Sequence, residues 1–227
     1  MIRIALRSRP VVGAVIPLAD DERHYLLQVM RRRVGDPVEV LAFDGRVFLA
    51  EVVSTDGVRI VAEGERPWQP VRAITLVQAL LKGDHFSDVV DRATQAGVSR
   101  FVPLITDRTI VREVKSTRLD RWRTIAKEAS EQCRRGDVPT ISDPIALKDL
   151  YPEKDADAVV LHPGGPGGAP WNTPTHKPLT LVVGPEGGLS DDEVAALTSR
   201  GFEPLSLEGP VYRAENAGAF AAVLFLH

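Results

Sequence analysis

The chain reads as an α/β protein led by a small β-rich domain, and three features predict this. In the first seventy residues, short β-branched runs are separated by the turn pairs Gly35-Asp36, Asp44-Gly45 and Asp56-Gly57. From Val71 onward, apolar runs alternate with longer amphipathic stretches, the pattern of a mostly parallel sheet covered by helices. A glycine-rich turn, Gly184-Pro185-Glu186-Gly187-Gly188, lies between an apolar strand and a helix start. The Pro-containing stretch Gly64–Pro70 reads as a linker, which divides the chain into residues 1–70 and 71–227.

In the first part, Asp20 and Asp21 are placed to cap a helix over Glu22–Arg31, with Tyr25, Leu26, Val29 and Met30 at helical spacing. Strands are expected at Pro37–Ala42, Val47–Val53 and Val58–Ala62, short enough and close enough for a small barrel. In the second part the expected order is strand Ala73–Leu81, helix Asp84–Ala96 ending at Gly97, and strand Arg100–Ile105. A long helix follows, marked by Leu119, Trp122, Ile125, Ala126, Ala129 and Cys133. Then come strands Ala156–Leu161 and Leu179–Val183, helix Asp191–Arg200, strand Glu203–Leu207 and helix Glu215–Leu226. Ser190 with Glu193 forms a capping box ahead of the helix at Asp191. The last helix carries apolar residues on more than one face, so it is expected to be buried nearly all round, in its own core or against a partner. Gly164–Gly168 reads as a flexible surface loop, since no helix start follows it.

No apolar run approaches the roughly 20 residues of a membrane span, so no membrane association is expected. The N-terminus is too short and too charged for a secretory signal, and Cys133 is the single cysteine; both fit a cytoplasmic location. The net charge of −3 argues against a general nucleic-acid binder, but its distribution is uneven. Residues 1–70 carry 10 basic and 10 acidic side chains, residues 71–140 carry 13 and 9, and residues 141–227 carry 5 and 12. The central excess, Arg108, Arg112, Lys115, Arg118, Arg121, Arg123, Lys127, Arg134 and Arg135, is either an RNA-facing strip or a solvated helix face.

A phosphate-binding turn carries Lys and Ser or Thr after its glycines, whereas this one carries Glu186 and Leu189. Its acidic residue repels phosphate and suits a ribose hydroxyl, an amino group or a cation; a tight turn without a ligand is the alternative. Serine-hydrolase and dinucleotide fingerprints are absent, and His24, His85, His162, His176 and His227 lack metal-ligand spacing. Of these only His162 stands at a strand end, where open α/β sheets bind ligands. A second strand–turn–helix passage, Leu205–Ala217, places Arg213 and Glu215 at a helix start. They are either a helix-entry ion pair or the second wall of one ligand site.

These residues resemble a known family. Gly184–Ser190 with Glu193, together with Val211-Tyr212-Arg213-Ala214-Glu215-Asn216-Ala217, resemble the cofactor-binding signature of the RsmE family. Its members are SPOUT-superfamily methyltransferases that modify N3 of a uridine in 16S ribosomal RNA. The likeness continues through Leu81–Asp84, Ala93–Val98, Pro103-Leu104, Arg121-Trp122, Glu128–Arg135 and Val138-Pro139. In the N-terminal part it is carried by His24–Leu26, Val29–Arg31, Gly35-Asp36 and Asp44-Gly45. The chain departs from the family at Glu208, Pro210, Tyr212, Ala214 and Asn216, beside the cofactor loop.

The resemblance implies an α/β fold with a C-terminal trefoil-knotted SPOUT methyltransferase domain and an N-terminal PUA-like β-barrel. It implies S-adenosylmethionine as cofactor, 16S rRNA of the 30S subunit as substrate, and a homodimer. The cofactor is expected on Leu161, His162, Val183, Gly184, Pro185, Glu186, Gly187, Gly188, Leu205, Leu207, Gly209, Val211 and Tyr212. Arg213 is the candidate for stabilising the uracil anion or gripping a phosphate. Glu186 and Glu215 are candidates for base, substrate positioning or cofactor support. RNA phosphates are expected on Arg31, Arg32 and Arg33 and on Arg108, Arg112 and Lys115. The alternatives are a non-catalytic RNA-binding homologue and a SPOUT enzyme with another rRNA or tRNA target.

Overall fold

A computed structural model describes residues 2–6, 8–42, 46–65, 67–166, 176–207 and 209–226. They form two compact units, residues 1–69 with 130–138, and residues 70–129 with 139–227.

The first unit holds β1 (Ile2–Ala5), β2 (Val15–Pro17), α1 (Asp20–His24), β3 (Pro37–Leu41), β4 (Val47–Ser54) and β5 (Gly57–Glu63). Its sheet order is β1-β3-β4-β5-β2, with β1 parallel to β3 and the other pairs antiparallel. All five strands feed one core that includes Ile4, Ile16, Val38, Val40, Phe48, Val52, Val58 and Ile60. Delivery of side chains from both outer strands to one core requires the sheet to curl, as expected of a small barrel. The helix differs from expectation. It starts at Asp20, and the Glu22 carboxylate accepts the Ala19 N–H at 2.8 Å, so the acidic residues lie inside the first turn instead of preceding it. It then widens into a π-type turn, Tyr25–Val29, closed by Met30 N–H on the Tyr25 carbonyl. Leu26 reaches the core while Val29 is exposed and Met30 only half-buried, because the wider turn breaks the 3.6-residue spacing. The turn pair Asp44-Gly45 lies outside the described residues.

Residues 130–138 join this unit through specific bonds. The Glu131 carboxylate accepts the Ala5 N–H at 2.7 Å, Gly136 N–H donates to the Trp68 carbonyl at 3.2 Å, and Val138 packs on Ala5, Leu41 and Val47. An expected boundary at residue 70 omits this segment, because partners more than sixty residues away in the chain leave no local signal.

The second unit holds β6 (Ile74–Ala79), α2 (His85–Gln95), β7 (Arg100–Ile105), α3 (Ser116–Cys133, of which 130–133 belong to the first unit), β8 (Thr140–Ile141) and β9 (Ile145–Ala146). It continues with β10 (Asp157–Leu161), β11 (Leu179–Val183), α4 (Asp191–Ser199), β12 (Glu203–Leu205) and α5 (Ala214–Leu226). The sheet order is β12-β10-β11-β6-β7-β8, with β9 also on β7, and every pair is parallel. β6 and β11 are buried along their whole length, as central strands covered on both faces must be. One face packs Val77, Val102, Leu104, Val160 and Val182 against Leu189, Leu197 and Phe202.

Helix α5 packs against α2, β6 and β11. Gly218 lets it approach so closely that an added Cβ would lie 2.9 Å from a Leu76 methyl. The expectation of nearly all-round burial fails within the chain: Phe220, Val223 and Leu224 are 45, 43 and 45% exposed.

Candidate functional site

Register positions the site. Leu205 pairs with Leu161, Leu161 with Val183, and Val183 with Gln78, so β12, β10, β11 and β6 end in one line. β10 lies between β12 and β11, which brings the loops that follow all three strands side by side at the carboxyl edge. Between them lies a cavity of about 750 Å³, within the size range of small-molecule sites.

The glycine turn forms one wall. Gly184 has no room for a side chain, since a Cβ there would lie 3.0 Å from the Leu189 nitrogen. Its carbonyl accepts from the fully buried Gln78 amide at 3.2 Å. Gly188 has φ +70°, a conformation that favours glycine, and its N–H closes the turn onto the Pro185 carbonyl at 2.8 Å. Two side chains hold the turn from elsewhere: Glu186 accepts the Lys82 N–H at 2.9 Å, and Arg108 donates to the Gly187 carbonyl at 2.6 Å. The capping box is present, with Glu193 N–H on the Ser190 hydroxyl at 3.2 Å and Ser190 N–H on the Glu193 carboxylate at 2.9 Å. The other oxygen of that buried carboxylate accepts the Asp107 N–H at 2.8 Å.

The loops after β10 and β12 form the other walls. His162 N–H donates to the Leu205 carbonyl at 2.8 Å, and Ser206 N–H to the Pro166 carbonyl at 3.1 Å. Gly165 lies so close to Leu205 that a Cβ would approach its backbone to 2.9 Å. The described part of the expected flexible loop, 164–166, is therefore packed on β12; Gly167 and Gly168 lie outside the described residues. Gly209 has φ +116°, and the Tyr212 ring meets Phe220 edge-on at 5.0 Å. Arg213 precedes α5, and its carbonyl accepts the N–H groups of Asn216 and Ala217. The Arg213 side chain is 82% exposed, and its guanidinium stands 3.8 Å from the Glu215 carboxylate, which is 10% exposed. Asn216 accepts a hydrogen bond from Arg92.

Leu161, His162, Val183–Gly188, Leu207, Gly209, Val211, Tyr212, Arg213 and Glu215 all line this one cavity. Leu205 does not: its side chain is buried in the core and it serves the site through its carbonyl. Glu208 lies outside the described residues. Sequence reasoning missed His85, Pro163 and Leu189 on the wall, and within the Leu205–Ala217 passage it did not single out Ser206, Pro210, Ala214 and Ala217. His85, the first residue of α2, arrives because β6 pairs with β11, a neighbour relation no local signal encodes.

The basic residues separate into two kinds. Arg31 and Arg33 are exposed, Arg31 at φ 52°, while Arg32 is half-buried and 3.9 Å from Asp36. Arg112 donates to the Asp107 carbonyl at 3.2 Å, and Lys115 is exposed. Arg118 donates to the Gly83 carbonyl and stacks over Trp122, Arg121 pairs with Asp84 at 2.6 Å, and Arg123 with Asp120 at 2.9 Å. Arg135 is buried and forks onto Asp137 at 2.9 and 2.8 Å. Arg135 thus belongs to the interior and not to an RNA-facing strip. Among the described residues no cluster of three or more His, Cys, Asp or Glu could hold a metal, and no helix is long and apolar enough to cross a membrane.

Comparison with known proteins agrees with this geometry. Residues 68–226 match the RNA methyltransferase domain family, and residues 18–63 match the RNA methyltransferase PUA domain family. The chain is 30% identical to ribosomal RNA small subunit methyltransferase E of Synechocystis, over 96% of this chain and 75% of that one. It is 33% identical to the Aquifex aeolicus protein of the same name, over 83% of this chain and 84% of that one. Ribosomal RNA small subunit methyltransferase E of Neisseria gonorrhoeae, solved with S-adenosylmethionine, superposes with a TM-score of 0.88 at 25% identity, covering 98% of this chain and 95% of that one. A Legionella pneumophila protein solved with the same cofactor gives 0.86 at 28% identity, covering 99 and 96%. With family, fold and cavity in agreement, the chain belongs to the ribosomal RNA small subunit methyltransferase E family.

Proposed function

We propose that this protein transfers a methyl group from S-adenosylmethionine to N3 of a specific uridine in 16S rRNA. The carrying observation is the convergence of three strand ends on a glycine turn that lacks a phosphate-binding Lys, in a cavity of about 750 Å³. The wall suits the cofactor: Leu161, Val183, Leu207 and Val211 offer apolar surface to a base, and Gly184, Gly187 and Gly188 bring main chain close without Cβ atoms. When bound, the cofactor supplies a methyl carbon made electrophilic by its sulfonium.

The chain's own residues prepare the nucleophile. Uridine N3 bears a proton and attacks poorly until it leaves. Arg213, exposed at the cavity, is the candidate for stabilising the uracil anion, with the Glu215 carboxylate 3.8 Å from its guanidinium. Glu186 accepts the Lys82 N–H on one carboxylate oxygen, which supports a role in holding the loop. Proton removal by a positioned base contributes roughly 10²–10⁴-fold in rate, and alignment about 7–11 kcal/mol. Phosphate contacts fall to the exposed Arg31 and Arg33 and to Arg112 and Lys115.

The finer fold reading is a trefoil knot through the loops after β10, β11 and β12, supported by the insertion of β10 between β11 and the later β12. A homodimer through α5 is supported by the exposed Phe220, Val223 and Leu224 at i, i+3, i+4 spacing. A cytoplasmic location follows from the rRNA substrate. The test is methyl transfer from labelled cofactor to 30S subunits lacking the modification, followed by nucleoside mass analysis. Label in N3-methyluridine is expected; no transfer, or label in another nucleoside, overturns the reading.

A further inference from the structure

We infer that Arg108, outside the cofactor signature and expected from charge alone to hold RNA, is a positioning residue for the cofactor. The inference rests on the function proposed above. The Arg108 Nη1 donates to the Gly187 carbonyl at 2.6 Å and lies 3.4 Å from the Leu189 carbonyl. Each carbonyl belongs to a peptide unit whose N–H is also taken. Gly188 N–H donates to the Pro185 carbonyl at 2.8 Å, and Ser190 N–H to the Glu193 carboxylate at 2.9 Å. A peptide unit is planar, so a bond at each end sets its rotation.

The peptide between Gly187 and Gly188 is the one that needs this. Two adjacent glycines allow it to turn over with little steric resistance. Such a flip would reverse the peptide dipole in a turn that lines the cavity. Arg108 opposes it with a short charge-assisted bond, and its stem runs beside the turn, 3.5 Å from where a Gly187 Cβ would be.

Arg108 itself comes from a fixed turn. Thr106 N–H donates to the Thr109 hydroxyl at 3.0 Å, the two hydroxyls are 2.8 Å apart, and both threonines are buried. Asp107 N–H donates to the Glu193 carboxylate that also caps α4. The segment after β7 is therefore a clamp, with Glu193 joining it to the helix and Arg108 joining it to the glycine turn.

The test compares Arg108→Ala and Arg108→Lys with the unsubstituted chain. Titration calorimetry measures S-adenosylmethionine affinity without RNA, amide exchange follows the Gly188 N–H, and RNA affinity is taken at several salt concentrations. Arg108→Ala is expected to weaken the cofactor about tenfold or more, on the scale of losing one hydrogen bond to a charged group, and to speed exchange at Gly188. Arg108→Lys, which keeps the charge but not the planar guanidinium, is expected to recover part of the loss. Cofactor affinity and Gly188 exchange unchanged in a folded Arg108→Ala protein would overturn the inference, the more so if the salt slope of RNA binding falls by about one. No cofactor binding by the unsubstituted chain would overturn the proposed function itself, and this inference with it.

Discussion

Gly184→Ala tests whether the cofactor turn depends on close packing of its own main chain. The added Cβ would lie 3.0 Å from the Leu189 nitrogen, 3.1 Å from the Leu189 Cγ and 3.2 Å from the Gly188 carbonyl carbon. Favourable carbon contacts begin near 3.5 Å, so relief requires the 188–189 main chain to move by about 0.5 Å. That main chain cannot move alone, because the Gly188 N–H, the Gly187 carbonyl and the buried Gln78 contact to Gly184 all hold it. Overpacking of this kind costs roughly 1–3 kcal/mol, offset by about 0.4–1 kcal/mol from the stiffer unfolded chain. A net loss of about 1–2 kcal/mol corresponds to a melting temperature lower by roughly 2–8 °C at this chain length. Calorimetric melting measures the stability, and isothermal titration the cofactor affinity, expected to fall at least tenfold. Gly187→Ala is the control: its Cβ would meet only the Arg108 stem, at 3.5 and 3.8 Å, so stability should change by no more than about 0.5 kcal/mol. If Gly184→Ala melts and binds as the unsubstituted chain does, the close-packing account of the turn is wrong.

Arg213→Ala should leave the fold, the cofactor affinity and bulk RNA affinity nearly unchanged, since an ion pair this exposed contributes about 0–1 kcal/mol. Single-turnover methyl transfer should drop by at least tenfold, and a full rate would remove Arg213 from the chemistry. Replacing Arg31 and Arg33 by Ala should weaken RNA binding and flatten its salt dependence while cofactor titration is unchanged; an unaltered salt slope would exclude them as phosphate contacts. Arg135→Ala should destabilise by about 3 kcal/mol, because it empties a buried guanidinium site and strands Asp137; a urea midpoint equal to that of the unsubstituted chain would contradict its interior role. Leu224→Glu should convert the proposed dimer to monomer in light scattering at low micromolar concentration, and a monomer mass for the unsubstituted chain would refute the α5 interface.

What could be read from the chain alone was whatever a few adjacent residues decide. The apolar runs at Arg100–Ile105 and Leu179–Val183 are strands with the expected limits, and the Ser190–Glu193 capping box starts α4 where its spacing requires. The glycine turn was legible for the same reason: its conformation is set by its own residues, and its missing Lys is a local fact. The two-residue strands β8 and β9, the first strand Ile2–Ala5 and the π-type turn at Tyr25 were not legible, because they persist through pairing and packing with distant segments.

Only the tertiary structure decided which loops share the cavity. His85 joins it through the pairing of β6 with β11, and Leu205 turns away from it at the end of β12. The fate of the arginines was decided there too. Arg108, Arg118 and Arg121 look alike as charges in sequence, yet each is engaged by a carbonyl or carboxylate brought near by the fold, and Arg135 is buried beside its chain neighbour Asp137. Local conformation follows from sterics over a few residues, whereas a long charged side chain takes the partner that the packed main chain sets within its reach, and strand order determines that partner.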